Sequence, residues 1–282
     1  MSDLLLPDSP ASAAVGVPPV ERAIRLLRAI ADGDPVTNMS RTARALAINR
    51  TTLMRLLQTL EAERFIERRP QGDGYRIGLG LVGIAAGASY SQDLVQTAMP
   101  VVTHLAESVG LSAHVGVLDG TDALYLVRQV PNVPLASNIH VGSRVPAYAT
   151  TLGRIIVAFW PDEKIDRVFG GLAFTSYSKH SPRTLDAFKA MLAADRAAGL
   201  AWSESHYVSG VSSFAGPIFD RTGEPVAAVN VTGPAQVFSA EPGRRSRIGE
   251  AVRAAADEIS KRLGHVAKPA APAAPTTRRR TA

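Results

Sequence analysis

Five side chains within one short stretch could read a nucleic acid: Arg50, Thr51, Thr52, Arg55 and Gln58. Arginine presents a fork of N–H donors that fits a guanine edge or a phosphate. Glutamine pairs with the amino and N7 positions of adenine, and threonine offers a hydroxyl. Such groups act together only if one rigid element holds them on one face. Leu53, Leu56, Leu57 and Leu60 recur at the i, i+3, i+4, i+7 spacing of a helix. At about 100° per residue, Thr51, Arg55, Gln58 and Thr59 fall on the opposite side. A leucine stripe with an Arg/Thr/Gln outer face suits insertion into a major groove. An ordinary amphipathic surface helix has the same pattern, so the flanks decide.

From Asn38 to Leu60 there are four arginines (Arg41, Arg44, Arg50 and Arg55) and no carboxylate, the group a phosphate backbone repels most. Upstream, Val20–Asp32 reads as a helix with Val20, Ala23, Ile24, Leu27 and Ile30 as its apolar face, broken by Gly33-Asp34-Pro35. Asn38 or Ser40 can cap a short second helix, Ala47-Ile48-Asn49 form a turn, and Asn49 caps the reader helix. Downstream, Phe65–Arg69 and Tyr75–Ile77 read as strands around Pro70-Gln71-Gly72-Asp73-Gly74. This order predicts a winged helix-turn-helix. Arg50, Arg68, Arg69 and Arg76 are expected to position it on phosphates, with Arg41 in the same contact set. Thr51, Thr52, Arg55 and Gln58 are the candidates for base edges.

The chain has 282 residues, enough for two domains with sizeable cores. Its net charge of +6 is misleading. The stretch His265–Ala282 contains Lys268, Arg278, Arg279 and Arg280 and no acid. Setting those four aside leaves 27 basic residues against 25 acidic. Specificity must then rest on a few placed arginines. Cysteine is absent, which excludes disulfides and thiolate metal sites. No apolar run is long enough to cross a bilayer, and the N-terminus lacks the basic region of a secretion signal. The expectation is a cytoplasmic protein with no membrane partner.

Beyond the hairpin, Leu79–Ala98 reads as a linking helix, and Pro100 opens another helix through Val109. Strands are expected at Ala113–Leu118, Ala123–Val130, Leu135–Val141, Val211–Phe219 and Pro225–Thr232. Helices are expected at Thr150–Trp160, Pro161–Phe169, Thr184–Ala198 and Arg244–Leu263. That mixture is an α+β domain with a mainly antiparallel sheet. The expected divisions are a flexible arm over 1–17, the reader domain over 18–78, a linker over 79–98, an effector and oligomerisation domain over 99–264, and a disordered basic tail over 265–282.

Several segments carry a family resemblance: VERAIRLLRAI, ARALAINRTTLMRLLQTLEAERFIER, AHVGVLDG, VGSRVPAYATTLGRIIVAF and GEPVAAVNVTGP. On these the chain resembles the IclR family of bacterial transcription regulators, over roughly Val20 to Gly264. PAYATTLGR and VAAVNVTG look most like the subgroup that controls aromatic-acid catabolism through the β-ketoadipate pathway. The resemblance implies an N-terminal winged helix-turn-helix and a C-terminal GAF-like effector domain. It implies double-stranded operator DNA and a small organic acid effector, an aromatic acid or a β-ketoadipate-pathway intermediate, as partners. Assembly as a homodimer or homotetramer follows, with no cofactor and no metal. One departure is Ala47, where the family usually has glycine.

Carried over residue by residue, the effector pocket falls on Thr151, Leu152, Ser203, Ser213, Asn230 and Thr232. Thr150 joins them as a hydroxyl at a helix start, where an anion is favoured. Strand alternation independently places Ala228, Asn230 and Thr232 on one face and Val229 and Val231 on the other. Such a polar face either meets a ligand or meets water. Ser203 and Ser205 stand where relatives are often acidic, and Ser213 where they often have cysteine. Fewer carboxylates repel an anionic effector less. Arg144 or His206 could supply counter-charge. Effector binding is expected to act on the reader through the 79–109 helices.

Two other functions compete. Ser203, Glu204, Ser205 and His206 could suggest a hydrolase, but neighbours on one strand do not supply triad geometry. The six histidines show no HExxH spacing, and the chain has no P-loop and no GxSxG elbow. The other alternative is a ligand-sensing module that never reads DNA sequence, against which the basic reader helix argues.

Overall fold

The computed structural model describes residues 16–86, 89–132 and 139–266. The chain divides into two compact units, Met1–Ser89 and Tyr90–Ala282.

In the first unit, Pro18 and Pro19 occupy the opening turn of α1 (Pro18–Ala31), where a missing N–H costs nothing. Its buried stripe differs from the expected one. Leu26 and Ile30 enter the core, while Val20 and Ile24 are 54% and 43% exposed. The helix carries two overlapping apolar stripes, and periodicity alone does not say which one meets a neighbour. Asn38 caps α2 (Met39–Ala45), accepting from the Arg41 N–H at 3.0 Å. Asn49 caps α3 (Arg50–Ala62), accepting from the Thr52 N–H at 2.7 Å. Between them Ala47 sits at φ +52°, in the left-handed region, at a cost of about 1 kcal/mol. Leu53, Leu57 and Leu60 of α3 pack with Leu26, Ile30, Ala43, Leu46 and Ile66, and Leu56 lies at the margin. The hairpin follows as β1 (Ile66–Arg68) and β2 (Tyr75–Ile77), with Ile66 opposite Ile77. Helix α4 (Leu79–Ala86) closes the unit.

The second unit begins with α5 (Ser89–Val109), and here one expectation is corrected: Pro100 lies inside the helix instead of opening one. Proline removes one i→i−4 hydrogen bond. The helix continues because Leu94, Ala98, Val101, Val102, Leu105 and Ala106 are all buried in one cluster. The expected linker boundary at 98/99 therefore falls mid-helix.

Six antiparallel strands form the sheet: β3 (Ser112–Asp119), β4 (Asp122–Gln129), β5 (Arg144–Pro146), β6 (Ala201–Glu204), β7 (Val211–Phe219) and β8 (Pro225–Pro234), in the order β5-β4-β3-β8-β7-β6. The strand expected at Leu135–Val141 lies partly outside the described residues. Residues 139–143 are not strand, although the Gly142 N–H and the Ser143 carbonyl bond to Tyr125, and the regular ladder with β4 begins at Arg144. Strand β6 has only four residues, too few to show alternation, and it ends at Glu204, before Ser205 and His206. A one-turn 3₁₀ segment, Ala147–Ala149, leads into α6 (Thr151–Val157), followed by α7 (Asp162–Phe169) and α8 (Leu185–Ala198). The short α9 (Ala235–Phe238) precedes α10 (Arg244–Arg262).

Alternation along β8 splits the unit into layers. Val229 and Val231 join α5 and α10 in one cluster. Ala228 joins Leu152, Ile155 and Ile156 of α6, with Phe169 and Phe188, in the other. Gly153 lets α6 approach: a Cβ there would lie 2.3 Å from Ala147 Cα. The expected arm and basic tail lie almost wholly outside the described residues. No described helix is long and apolar enough to cross a membrane.

Candidate functional site

On α3 the leucines face inward, which leaves Arg50, Thr51, Arg55, Gln58 and Thr59 exposed and Thr52 partly exposed. Thr59 is occupied, donating to the Arg55 carbonyl at 2.9 Å. A cleft of about 360 Å³ runs between α3, the start of α2 and the hairpin, lined by Thr37, Met39, Arg50, Gln58, Arg68 and Asp73 among others.

The structure separates the expected arginines into two groups. Arg68 donates to Glu61 at 3.1 Å and stacks 4.4 Å above the Tyr75 ring. Arg76 pairs with Glu67 at 2.7 Å across the hairpin, and Arg41 pairs with Asp34 at 3.3 Å. Among the described residues Arg50, Arg55 and Arg69 make no ion pair. The cationic strength expected of the hairpin is therefore partly cancelled, by Glu67 of the hairpin and by Glu61. Sequence spacing missed this because Glu61 comes from the end of α3.

The second set of residues comes together on the α6 side of the sheet. Register places His114 opposite Asn230, Ser213 opposite Thr232, and Ser203 opposite Ser213. Thr150, Thr151, Ser203, Ser213, Asn230 and Thr232 are all buried, so this face does not meet water. Thr151 and Ser213 hydroxyls are 2.7 Å apart. Asn230 Nδ2 donates to Ser213 Oγ at 3.2 Å, and Asn230 Oδ1 lies 3.1 Å from His114 Nδ1. A continuous polar chain thus crosses α6, β7, β8 and β3. Leu152 is fully buried beside it, against Gly116. Thr232 turns to the Ser212 carbonyl at 3.3 Å. The Thr150 hydroxyl accepts the Gly153 N–H at 3.2 Å, so it caps α6 and one of the helix's opening donors is already taken.

Neither expected counter-charge is free. Arg144 is paired with Asp119. Burial, aided by the positive charge of Arg154, pushes His206 down to about 4, so it is neutral at pH 7. Its Nδ1 faces the Glu204 carbonyl at 3.2 Å, while Ser205 Oγ accepts the Gly210 N–H at 3.0 Å. No Ser–His pair forms there, which removes the geometric basis for the hydrolase.

Three features escaped the sequence. Arg154 is fully buried and bidentate to Asp195, at 2.8 and 3.1 Å, with a further bond to the Trp202 carbonyl at 2.9 Å. Its signal was a single charge in the otherwise uncharged helix TLGRIIV. His114 is hydrogen-bonded through one nitrogen only. Its Nε2 is buried with no partner among the described residues. Four tyrosines gather at this end of the sheet. Tyr125 meets His114 edge-on at 5.5 Å, Tyr177 and Tyr207 rings are 4.9 Å apart, and Tyr148 lies 6.3 Å from Tyr177. Burial and the neighbouring phenols push Tyr177 up to about 12.

With this geometry in place, comparison with known proteins is decisive. Residues 19–70 match the IclR helix-turn-helix domain, and residues 86–261 match the bacterial transcriptional regulator IclR C-terminal domain. The glycerol operon regulatory protein of Streptomyces griseus is 30% identical over 247 residues, covering 87% of this chain and 96% of that protein. The HTH-type transcriptional regulator XynR of Escherichia coli K12 is 25% identical over 213 residues, covering 76% and 84%. Among solved structures, an IclR homolog from Microbacterium hydrocarbonoxydans complexed with 4-hydroxybenzoate superposes with a TM-score of 0.74 at 22% identity, over 87% of this chain and 98% of that one. The matches are to regulators, not enzymes, and the chain belongs to the IclR family of bacterial transcriptional regulators.

Proposed function

We propose that this ligand-responsive regulator reads operator DNA with α3 and senses a small aromatic acid on the α6-covered face of its sheet. The observation that carries this reading is the buried Thr151–Ser213–Asn230–His114 chain ending beside Tyr125. Buried polar groups linked in series beside aromatic rings fit a flat ligand with polar ends better than a purely structural core. The 4-hydroxybenzoate bound by a structural neighbour agrees with it. The glycerol operon regulatory protein among the relatives keeps polyols as a competing class. On the DNA side, Arg50, Arg55 and Arg69 are the groups left for phosphates and bases. Arg41, Arg68 and Arg76 must first exchange a carboxylate for a phosphate.

The working form we assign is a homo-oligomer. Helix α4 carries no polar side chain, and Leu79, Val82 and Ile84 are 63%, 57% and 62% exposed. An apolar face of this kind on the reader unit fits a second copy, which pairs two readers on two half-sites. Val82→Asp should convert the oligomer to monomer in light scattering; an unchanged mass removes α4 from the interface.

A thermal-shift screen of aromatic acids, aliphatic acids and polyols, followed by operator footprinting with the hit, tests the whole reading. Stabilisation by an aromatic acid that also changes the footprint supports it. Stabilisation only by polyols or aliphatic acids overturns the aromatic assignment. A footprint that ignores every stabilising ligand overturns the sensor.

A further inference from the structure

On the α6-covered face His114 carries an unmet acceptor that points to what the ligand must carry. Its ring is fully buried, and its Nδ1 lies 3.1 Å from Asn230 Oδ1. The same amide uses Nδ2 to donate to Ser213 Oγ at 3.2 Å, so its oxygen faces the ring and Nδ1 is the protonated nitrogen. Burial, opposed by the Asn230 hydrogen bond and aided by the charge of Arg128, pushes His114 down to about 4. The ring is therefore neutral at pH 7 and carries one proton only, on Nδ1. Nε2 is left as a bare acceptor, buried and without a partner among the described residues. An unmet acceptor of that kind costs free energy until a donor arrives. The rest of the polar chain is already internally paired.

We propose that the effector carries a hydroxyl group and that His114 Nε2 accepts its hydrogen bond. This rests on the reading above that a small organic acid occupies this face. Such an acid is ionised at neutral pH, so its carboxylate offers no proton. The neutral donor left to it is a hydroxyl, phenolic or aliphatic. Tyr125, edge-on to His114 at 5.5 Å, flanks the position that hydroxyl must take. The chain then distinguishes hydroxylated acids from their deoxy counterparts. A site built to bond a hydroxyl rejects the analogue that lacks it far more strongly than an apolar pocket rejects an extra group.

The test is calorimetric titration of the full chain with matched ligands: 4-hydroxybenzoate, 4-methoxybenzoate and benzoate as one set, malate and succinate as the other. In the wild type the hydroxyl member of one set should bind at least about tenfold more tightly than its deoxy or O-methyl counterpart, and His114→Phe should erase that gap. Which set shows the gap separates a phenolic from an aliphatic hydroxyl. A deoxy acid that binds equally well, or a gap that survives in His114→Phe, overturns the hydroxyl assignment and leaves the organic-acid reading standing. No binding by any member overturns both. Should His114→Phe fail to fold, nitrogen-15 NMR of the wild-type ring decides independently. A neutral ring protonated on Nδ1 is required, and a proton on Nε2 overturns the proposal.

Discussion

The reader helix and the α6-covered face use polar side chains in opposite ways. On α3, Arg55 and Gln58 stand in solvent, opposite Leu53 and Leu57, which do the packing. Across the sheet, Ser213, Asn230, Thr151 and His114 are themselves part of the buried layer. The function proposed for α3 is separable from stability; the one proposed for the sheet is not. A group that only meets a partner outside can be removed with little effect on folding. A group bonded inside leaves an unpaired neighbour behind.

Substitutions should show this difference most sharply at Arg154. Arg154→Met strands the Asp195 carboxylate in the interior, and a loss of about 3–5 kcal/mol is expected in urea unfolding. A loss under about 1 kcal/mol would place this pair with surface ion pairs. Next comes the pH dependence. His114 falls from its ordinary 6.5 to about 4 in the fold, so the unfolded chain takes up its proton first. Stability should be flat above pH 6.5 and decline by about 3 kcal/mol as pH drops from 6.5 to 4. His206 is held down in the same way, so His114→Gln should reduce that decline without abolishing it, and a slope unchanged in the variant assigns it to other groups.

The reader side predicts effects of another kind. Arg55→Ala should cost about 1–3 kcal/mol of discrimination between operator and random DNA, with an unfolding curve unchanged within about 0.5 kcal/mol. Equal loss on both DNAs would make Arg55 a phosphate contact. The smallest effect is expected at the turn before α3. Ala47→Gly relieves the left-handed strain and should raise stability by up to about 1 kcal/mol, less the extra entropy of a glycine in the unfolded chain. A destabilised variant would show that the entropy term wins.

The same contrast explains what the sequence revealed. The α3 stripe and its Asn49 cap are local, so spacing alone located them. The Thr151–Ser213 and His114–Asn230 contacts join residues 62 and 116 positions apart. Alternation placed Asn230 and Thr232 on one face but could not supply the partner strand. The resemblance named Thr151 and Ser213, yet nothing local marked His114, Tyr125 or Asp195, whose roles depend on register and on packing between α6 and α8. Ion pairs gave the opposite difficulty. Arg68 looked available because Glu61, although close in sequence, lies on a different element.

Strand order has one more consequence. β8 is the last strand to be synthesised, yet it lies between β3 and β7 near the middle of the sheet. While the chain leaves the ribosome, the β3–β4 hairpin must therefore present an open β3 edge until Pro225–Pro234 emerges. The reader unit, whose contacts are short-range, can fold long before. Nascent chains stalled ahead of Pro225 should carry a finished DNA reader joined to an aggregation-prone half-sheet, and chaperone engagement is expected to concentrate in that interval.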